Sequence, residues 1–349
     1  MSSGGVPEIL RWVHREWRWV RVTRYRNAGS AAGSSAKRST QAPATGDSKP
    51  IVLRLAETHP ADYPTTLGDM KFAELVKERS GGRITIEVYP GSQLGQEKAV
   101  IEQVQFGAID FTRVSVSPLA AFVPVFNALQ LPYLYRSEDH MWKVLLGPIG
   151  TELFASLEPS GFVGIGWFEP GARNFYNSKR PVAKPEDLAG LKIRVQESEL
   201  MVGMVQGLGA VATPMAYGEV YSGLQTGVID GAENNWPSYE STSHYEVAKY
   251  YTVDEHTRVP EIIIASKISM SKLSAADLAL VKQAALDAIP YQRKLWAERE
   301  KASEAKVKAG GSIITPIADK APWQAAMKAL YDKQPSQVKY LVQRIGEVQ

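Results

Sequence analysis

The chain contains no cysteine. That excludes disulfide staples, thiolate metal sites, iron–sulfur clusters and a cysteine nucleophile, but not an oxidising compartment, where disulfides are optional. Histidine is scarce as well: His14, His59, His140, His244 and His256 include no i, i+4 pair, so a metal site would need distant ligands brought together. No stretch reaches the roughly 18 uninterrupted apolar residues that a bilayer-spanning helix requires. The enzyme signatures G-x-x-x-x-G-K-[ST], H-E-x-x-H and G-x-S-x-G and the EF-hand loop are all absent. GFVGIGWFEPG lacks the third glycine of a dinucleotide fingerprint and begins with its strand instead of following it. SSAK (34–37) and SMSK (269–272) match S-x-x-K without the partner motifs. We therefore expect no enzyme, no metal and no cofactor.

What is present is ordinary globular composition. The 349 residues are 44% hydrophobic and 22% charged, and the length suggests two domains. The net charge of +3 hides an asymmetry: residues 1–50 hold nine Lys/Arg against three Asp/Glu, leaving 31 bases and 34 acids in the remainder. The body is thus slightly acidic, and the pI of 8.8 describes a basic tail, not a nucleic-acid-binding face. Residues 27–50 are small and polar, which predicts a disordered linker. EILRWVHREWRWVRVTRYR upstream interleaves Trp, Val and Arg too closely to contain the apolar core of a secretory signal. Residues 1–50 are expected to be a disordered or vector- or leader-derived tail.

From residue 51 strands and helices alternate. IVLRLAE (51–57) reads as a strand, helical spacing follows until Gly81-Gly82, and ITIEVYP (84–90) is the next strand, a βαβ unit with a parallel pair. A helix at 96–107, a strand at 109–117 and helices over 137–158 follow. FVGIGWF (162–168) and ARNFYNS (172–178) read as short strands separated by Pro170-Gly171. LKIRV, VIDGAEN (228–234) and IIIAS (262–266) are further strands, with helices at 199–208 and 217–226 between. Ser274 N-caps a long amphipathic helix reaching about Lys308, with Pro290 as its interruption. Two α/β units joined by crossing segments enclose a cleft, and ligands of open parallel sheets sit beyond the strands' carboxyl ends.

Two arginines stand near such ends: Arg173 in GARNFYNS and Arg194 in LKIRVQES. Alternation points Arg194 opposite Ile193 and Val195, where it must meet solvent, a carboxylate of the protein or a ligand anion. For one arginine a sheet-face ion pair is the simpler reading. Two in consecutive segments favour a clamp for a small organic acid, because a guanidinium matches a carboxylate bidentately and stays charged when desolvated.

LGQEKAVIEQVQFGAIDFT, EDLAGLKIRVQES and ATPMAYGEVYSGLQTGVIDGAENN, in that order, resemble the extracytoplasmic solute receptors of tripartite ATP-independent periplasmic (TRAP) transporters, the DctP family, over about 51–330. The resemblance implies a two-domain α/β periplasmic-binding-protein-like fold, with hinged lobes around a ligand cleft and a long C-terminal helix crossing both. The lobes would comprise 51–171 with a return segment at 259–292, and 172–258 with 293–349. It also implies a periplasmic, non-enzymatic receptor that delivers organic acids to a small and a large membrane subunit.

Carried over by position, Arg194 is the principal carboxylate clamp and Arg173 a second anion contact. Asn234 bonds the ligand near its carboxylate, and Tyr217 packs beside it. Glu97, Ser115, Glu197 and His256 stand where ligand polar groups are met. Ser115 is a hydroxyl where sialic-acid receptors carry an acid, and Glu197 replaces an amide. ENNWPSYESTSHYEVAKYY followed by EHTRVPE is closer to the hexuronate branch, for glucuronate or galacturonate. One carboxylate and several vicinal hydroxyls suit the arginines with Glu97, Asn234 and His59, and Trp236 is available either to stack on a sugar face or to pack in the core. Asp62 and Arg113 are weaker candidates, each equally readable as a surface or hinge ion pair. Another carboxylate on the same scaffold, with Arg173 holding a second acid group, is the alternative ligand. An enzyme using Glu97 and Glu197 as a carboxylate pair is the alternative activity. The partners expected are the acid and the membrane subunits, with no nucleic acid, and the chain is taken as a monomer.

Overall fold

The computed structural model describes residues 49–349, so nearly all of the segment expected to be a tail lies outside the described residues. Among the described residues no helix is long and apolar enough to cross a membrane.

The first strand, β1 (Ile51–Ala56), pairs in parallel with β2 (Ile84–Tyr89) across the helix Pro64–Arg79. Alternation sends Leu53 and Leu55 inward, where they join Phe72 and Val76 of that helix and Ile84 and Ile86 of β2 in one core. The helix stops where expected: Gly81 and Gly82 take positive φ (63° and 81°), a conformation glycine adopts without a Cβ penalty. After the helix Glu97–Gln105, β3 (Phe111–Ser115) pairs in parallel with β1, and β4 (Phe162–Phe168) closes the first pass.

The two strand-like runs flanking Pro170-Gly171 belong to different sheets. The chain leaves the first sheet after β4 and opens a second with β5 (Arg173–Asn177), followed by β6 (Lys192–Val195), β7 (Val211–Pro214), β8 (Gly231–Asn234) and β9 (Tyr250–Thr257). It then returns as β10 (Glu261–Ser266), inserted antiparallel between β3 and β4. β11 (Ile313–Pro316) finally joins the second sheet beside β9. The sheet orders are β2-β1-β3-β10-β4 and β11-β9-β5-β8-β6-β7. Between β10 and β11 runs the helix Ala275–Ala309, about 50 Å long at 1.5 Å per residue. Val281, Ala284, Ala285 and Ala288 pack it into the first core, and Val307 into the core beneath the second sheet.

Ser274 caps this helix, its Oγ accepting from Asp277 N. Pro290 does not interrupt it. The proline is exposed, and the carbonyl it deprives of a partner belongs to Leu286, itself 43% exposed, so water can take the place of the lost bond. β9, β11 and the C-terminal helices Ala321–Ala326, Lys328–Asp332 and Ser336–Glu347 have no counterpart in the sequence reading.

Candidate functional site

A polar chamber lies between the two sheets, lined from both. The first sheet and its loops contribute Thr58, His59, Glu97, Ser115 and Glu261. The second contributes Arg173, Gln196, Tyr217, Asn234, Asn235 and Ser238. The space left is small: about 20 Å³ for the centres of water-sized molecules, little more than a single water needs, within roughly 280 Å³ of non-atom volume.

At the second-sheet end, Arg173 opens β5 and is 4% exposed. Its Nε and Nη2 donate to the two carboxylate oxygens of Glu233 (2.5 and 2.8 Å), Nη2 also to Glu233 O (2.8 Å), and Nη1 to Asn234 Oδ1 (3.0 Å). Arg173 lines the chamber but is already paired with an acid of the protein. A buried guanidinium needs an acid, and β8 supplies Glu233, whose carboxyl is held down to about 2 because Arg173 and His256 together outweigh the burial that opposes its charge. Asn234 Oδ1 is consumed by Arg173 and by Asn235 N (2.9 Å), which leaves its Nδ2 as the donor for the chamber.

Arg194 is different. It is 3% exposed, and its Nε and Nη2 donate to Met215 O (2.9 and 2.7 Å). No carboxylate forms an ion pair with it among the described residues, and burial lowers its pKa. It does not line the chamber directly, but stands on the same side of the chain as Gln196, two residues on, which does. Gln196 Oε1 and Tyr217 Oη are both buried without a hydrogen-bond partner among the described residues, and both residues line the chamber. Orphaned polar atoms of this kind are rare in protein interiors and point to a ligand.

At the first-sheet end one guanidinium holds several acids. Arg113, fully buried, donates through Nε to Glu57 Oε2 (2.6 Å), through Nη2 to Glu57 Oε1 and to His59 Nδ1 (2.6 Å), and through Nη1 to Glu261 Oε2 (2.7 Å), with Glu97 Oε1 at 3.5 Å. His59 Nδ1 lies between Arg113 Nη2 (2.6 Å), which can only donate, and Glu57 Oε1 (3.1 Å), which can only accept; the nearer guanidinium favours an accepting Nδ1 with the proton on Nε2. Burial and Arg113 lower the pKa of this imidazole and keep it neutral, and its ring stacks on Tyr63 with 4.0 Å between centroids. Ser115 donates through its backbone N to Glu97 Oε1 (2.8 Å) and through Oγ to Glu261 Oε1 (2.7 Å). Burial and the neighbouring Glu261 push the Glu97 carboxyl up to about 7 against the pull of Arg113. Asp69 lies against Glu57 with neither carboxylate oxygen hydrogen-bonded among the described residues, and burial drives its pKa well above the usual range.

The structure therefore brings Arg173, Asn234, Glu97, His59, Ser115 and Tyr217 together around one chamber, with Arg194 behind it. Five residues singled out by sequence stand elsewhere. Glu197 is partly exposed and outside the lining, and Gln196 faces the chamber in its place, because the chain alternates sides there; the Glu97–Glu197 carboxylate pair is not assembled. His256 is 1% exposed and bonded to Asp254 (Nδ1, 2.8 Å) and Glu233 (Nε2, 3.3 Å), where the two acids override burial and raise it to about 9, so it braces Glu233 from behind. Trp236 stacks on Tyr251 at 3.9 Å within the core. Asp62, at the surface, pairs with Arg299 (3.3 Å). Arg113 is no surface pair but the buried hub just described.

Sequence reasoning missed Glu57, Glu233, Glu261, Gln196 and Asn235. Glu233 and Asn235 flank Asn234 in the quoted DGAENN, and Glu261 closes EHTRVPE, so the letters were in view; only the cross-strand pairings Asn174↔Asn234 and Glu261↔Ser115 bring them to the site.

The family described as "Bacterial extracellular solute-binding protein, family 7" (DctP) matches residues 55–337. A solute-binding protein of Chromohalobacter salexigens is 43% identical over 275 residues, 79% of this chain and 82% of the relative. A TRAP periplasmic solute-binding protein from Bradyrhizobium sp. BTAi1, solved in complex with α/β-D-galacturonate, shares 48% identity at a TM-score of 0.83, covering 84% of this chain and 99% of that one. Another from Chromohalobacter salexigens, solved with bound D-glucuronate, shares 41% identity at a TM-score of 0.83, with 85% and 100% covered. Apart from the first residues of β1, both sheets and the helix that spans them lie within the matched region, and on that ground the chain belongs to the DctP family, the extracellular solute-binding receptors of TRAP transporters.

Proposed function

We propose that the protein captures a hexuronate, galacturonate or glucuronate, in the chamber between its sheets and presents it to the TRAP membrane subunits. The observation that carries this reading is Arg194: a buried guanidinium with no acid of its own among the described residues, beside a chamber whose lining includes two orphaned polar atoms. The ligand carboxylate completes Arg194, assisted by Asn234 Nδ2 and the chamber-facing edge of Arg173. The hydroxyls meet His59 Nε2–H, Glu97, Gln196 and Tyr217. Relatives of 41–48% identity solved with these two sugar acids support the choice of ligand class.

The chamber is too tight for a sugar acid as it stands, so entry requires the lobes, 51–171 with 259–292 and 172–258 with 293–349, to part where the chain crosses between sheets. Closure then follows because groups from both lobes are satisfied only by a ligand between them. The protein acts in this scheme as a monomer outside the cytoplasm and takes no nucleic acid, consistent with the slight acidity of residues 51–349. Calorimetric titration with D-galacturonate and D-glucuronate should show one saturable site and a ligand-dependent rise in melting temperature. No heat and no thermal shift with either acid would refute the assignment.

A further inference from the structure

Resting on the hexuronate reading, we propose that the first-sheet end of the chamber, built by Glu97 and Glu261 around Arg113, selects against a second carboxylate: the receptor takes a uronate and rejects the aldarate in which C1 is also a carboxylate. The argument is one of hydrogen bonds and charge. Every charged donor at this end already has a protein acceptor. Arg113 spends Nε on Glu57, Nη2 on Glu57 and His59, and Nη1 on Glu261 with Glu97 beyond, so it has nothing to offer an incoming anion. Ser115 gives its backbone N–H to Glu97 and its hydroxyl to Glu261. The donors that remain are uncharged: His59 Nε2–H and the hydroxyls of Thr58 and Tyr217. Opposite His59, Glu97 Oε2 has no partner among the described residues and lines the chamber as an acceptor. A sugar hydroxyl satisfies both, accepting from His59 and donating to Glu97. A carboxylate cannot donate, and it leaves Glu97 Oε2 facing another anion.

Charge points the same way. The groups facing Glu97 are Glu57 from the end of β1, the neutral His59, Arg113 and Ser115 of β3 and Glu261 of β10, with Asp69 behind Glu57 on the helix Pro64–Arg79 and Arg194 more distant across the chamber. One cation serves four carboxyl groups. Arginines and Asn234 occupy the opposite end, so the chamber is polarised along its length, and a ligand with an acid at one end and hydroxyls at the other matches it. The raised pKa of Glu97 fits an acid placed among acids and supplies a handle for the test.

The full chain is titrated by calorimetry with D-galacturonate and galactarate, and with D-glucuronate and D-glucarate, at pH 8 and pH 6. At both values all ligand carboxylates are ionised, so only the protein changes protonation. At pH 8 each uronate should bind at least about 100-fold more tightly than its aldarate, since opposed like charges cost several kcal/mol. At pH 6 Glu97 carries a proton that it can donate, and the ratio should contract by roughly tenfold. Glu97→Gln should contract it at pH 8 and abolish the difference between the two pH values. Equal uronate and aldarate affinities, or a ratio moved by neither pH nor Glu97→Gln, overturn this inference and leave the hexuronate reading standing. Failure of all four acids to bind overturns both. The wild-type comparison at two pH values decides the matter even if the variant folds poorly.

Discussion

Replacing Arg194 by methionine separates a binding arginine from a structural one. In the folded protein Arg194 gives two hydrogen bonds to Met215 O and has no ion-pair partner among the described residues. Its removal leaves that carbonyl unmet, a loss of about 1–3 kcal/mol, but it also removes a buried charge that no ion pair neutralises. The two effects oppose each other, and methionine fills much of the same space, so the melting temperature without ligand should change little. A bound carboxylate has no such compensation. Losing its buried guanidinium should cost roughly 2–5 kcal/mol, or about 30-fold to 4000-fold in affinity. Arg173→Met provides the contrast: it leaves Glu233, fully buried and ionised, with His256 as its one remaining cation, and should destabilise the fold by about 3–5 kcal/mol even without ligand. Calorimetry and thermal unfolding on the same preparations read both quantities. Unchanged uronate affinity in Arg194→Met would remove the clamp from the mechanism, and a collapse in its melting temperature equal to that of Arg173→Met would show that Arg194 is structural.

Three further outcomes follow from groups around the chamber. His256 titrates near 9 in the folded protein against about 6.5 when unfolded, so its contribution is complete below pH 6.5 and lost as the pH rises through 9. The melting temperature should fall across that window by the equivalent of about 3 kcal/mol, and His256→Gln should flatten the profile; an unchanged slope would mean that the imidazole is not held charged between Asp254 and Glu233. Asp69, a carboxyl forced up in pKa by burial and then by Glu57, stabilises the fold least when the solution favours its ionised form. Asp69→Asn should therefore raise the melting temperature more at pH 8 than at pH 5, and a loss of stability at pH 8 would refute this. At Gly231 a Cβ would lie 2.3 Å from Tyr176 O on the facing strand, so Gly231→Ala should push β8 away from β5, destabilise by about 1–3 kcal/mol and weaken uronate binding through Asn234. Wild-type stability and affinity would show that the strands give way there without moving the site.

Much of the scaffold is legible in local pattern. β1, the helix Pro64–Arg79 and β2 follow from alternation, helical spacing and paired glycines, all of which act within one element. β9 and β11 escape such reading. YYTVDEHT mixes charge into its strand because Asp254 is buried against Phe175 N and His256 against Glu233, both on other strands, and IITP is an edge strand only because β9 lies beside it. The run of strand-like segments from 162 to 178 likewise carries no mark that the two halves belong to different sheets, since both are buried by neighbours that arrive later.

By itself the sequence determined the chemical character of this protein: no cysteine chemistry, a slightly acidic body, alternating strands and helices, and arginines at strand ends with amides and acids nearby. Which of those arginines is left for a ligand was decided by tertiary structure alone. Arg173 and Arg194 look alike in sequence, yet β8 sets Glu233 against the first, while the second meets only the backbone carbonyl of Met215, just past β7. A buried charge is neutralised by whatever the fold places within about 4 Å, and that set is fixed by strand pairing across 60 to 148 residues of chain, a distance over which no local pattern reaches.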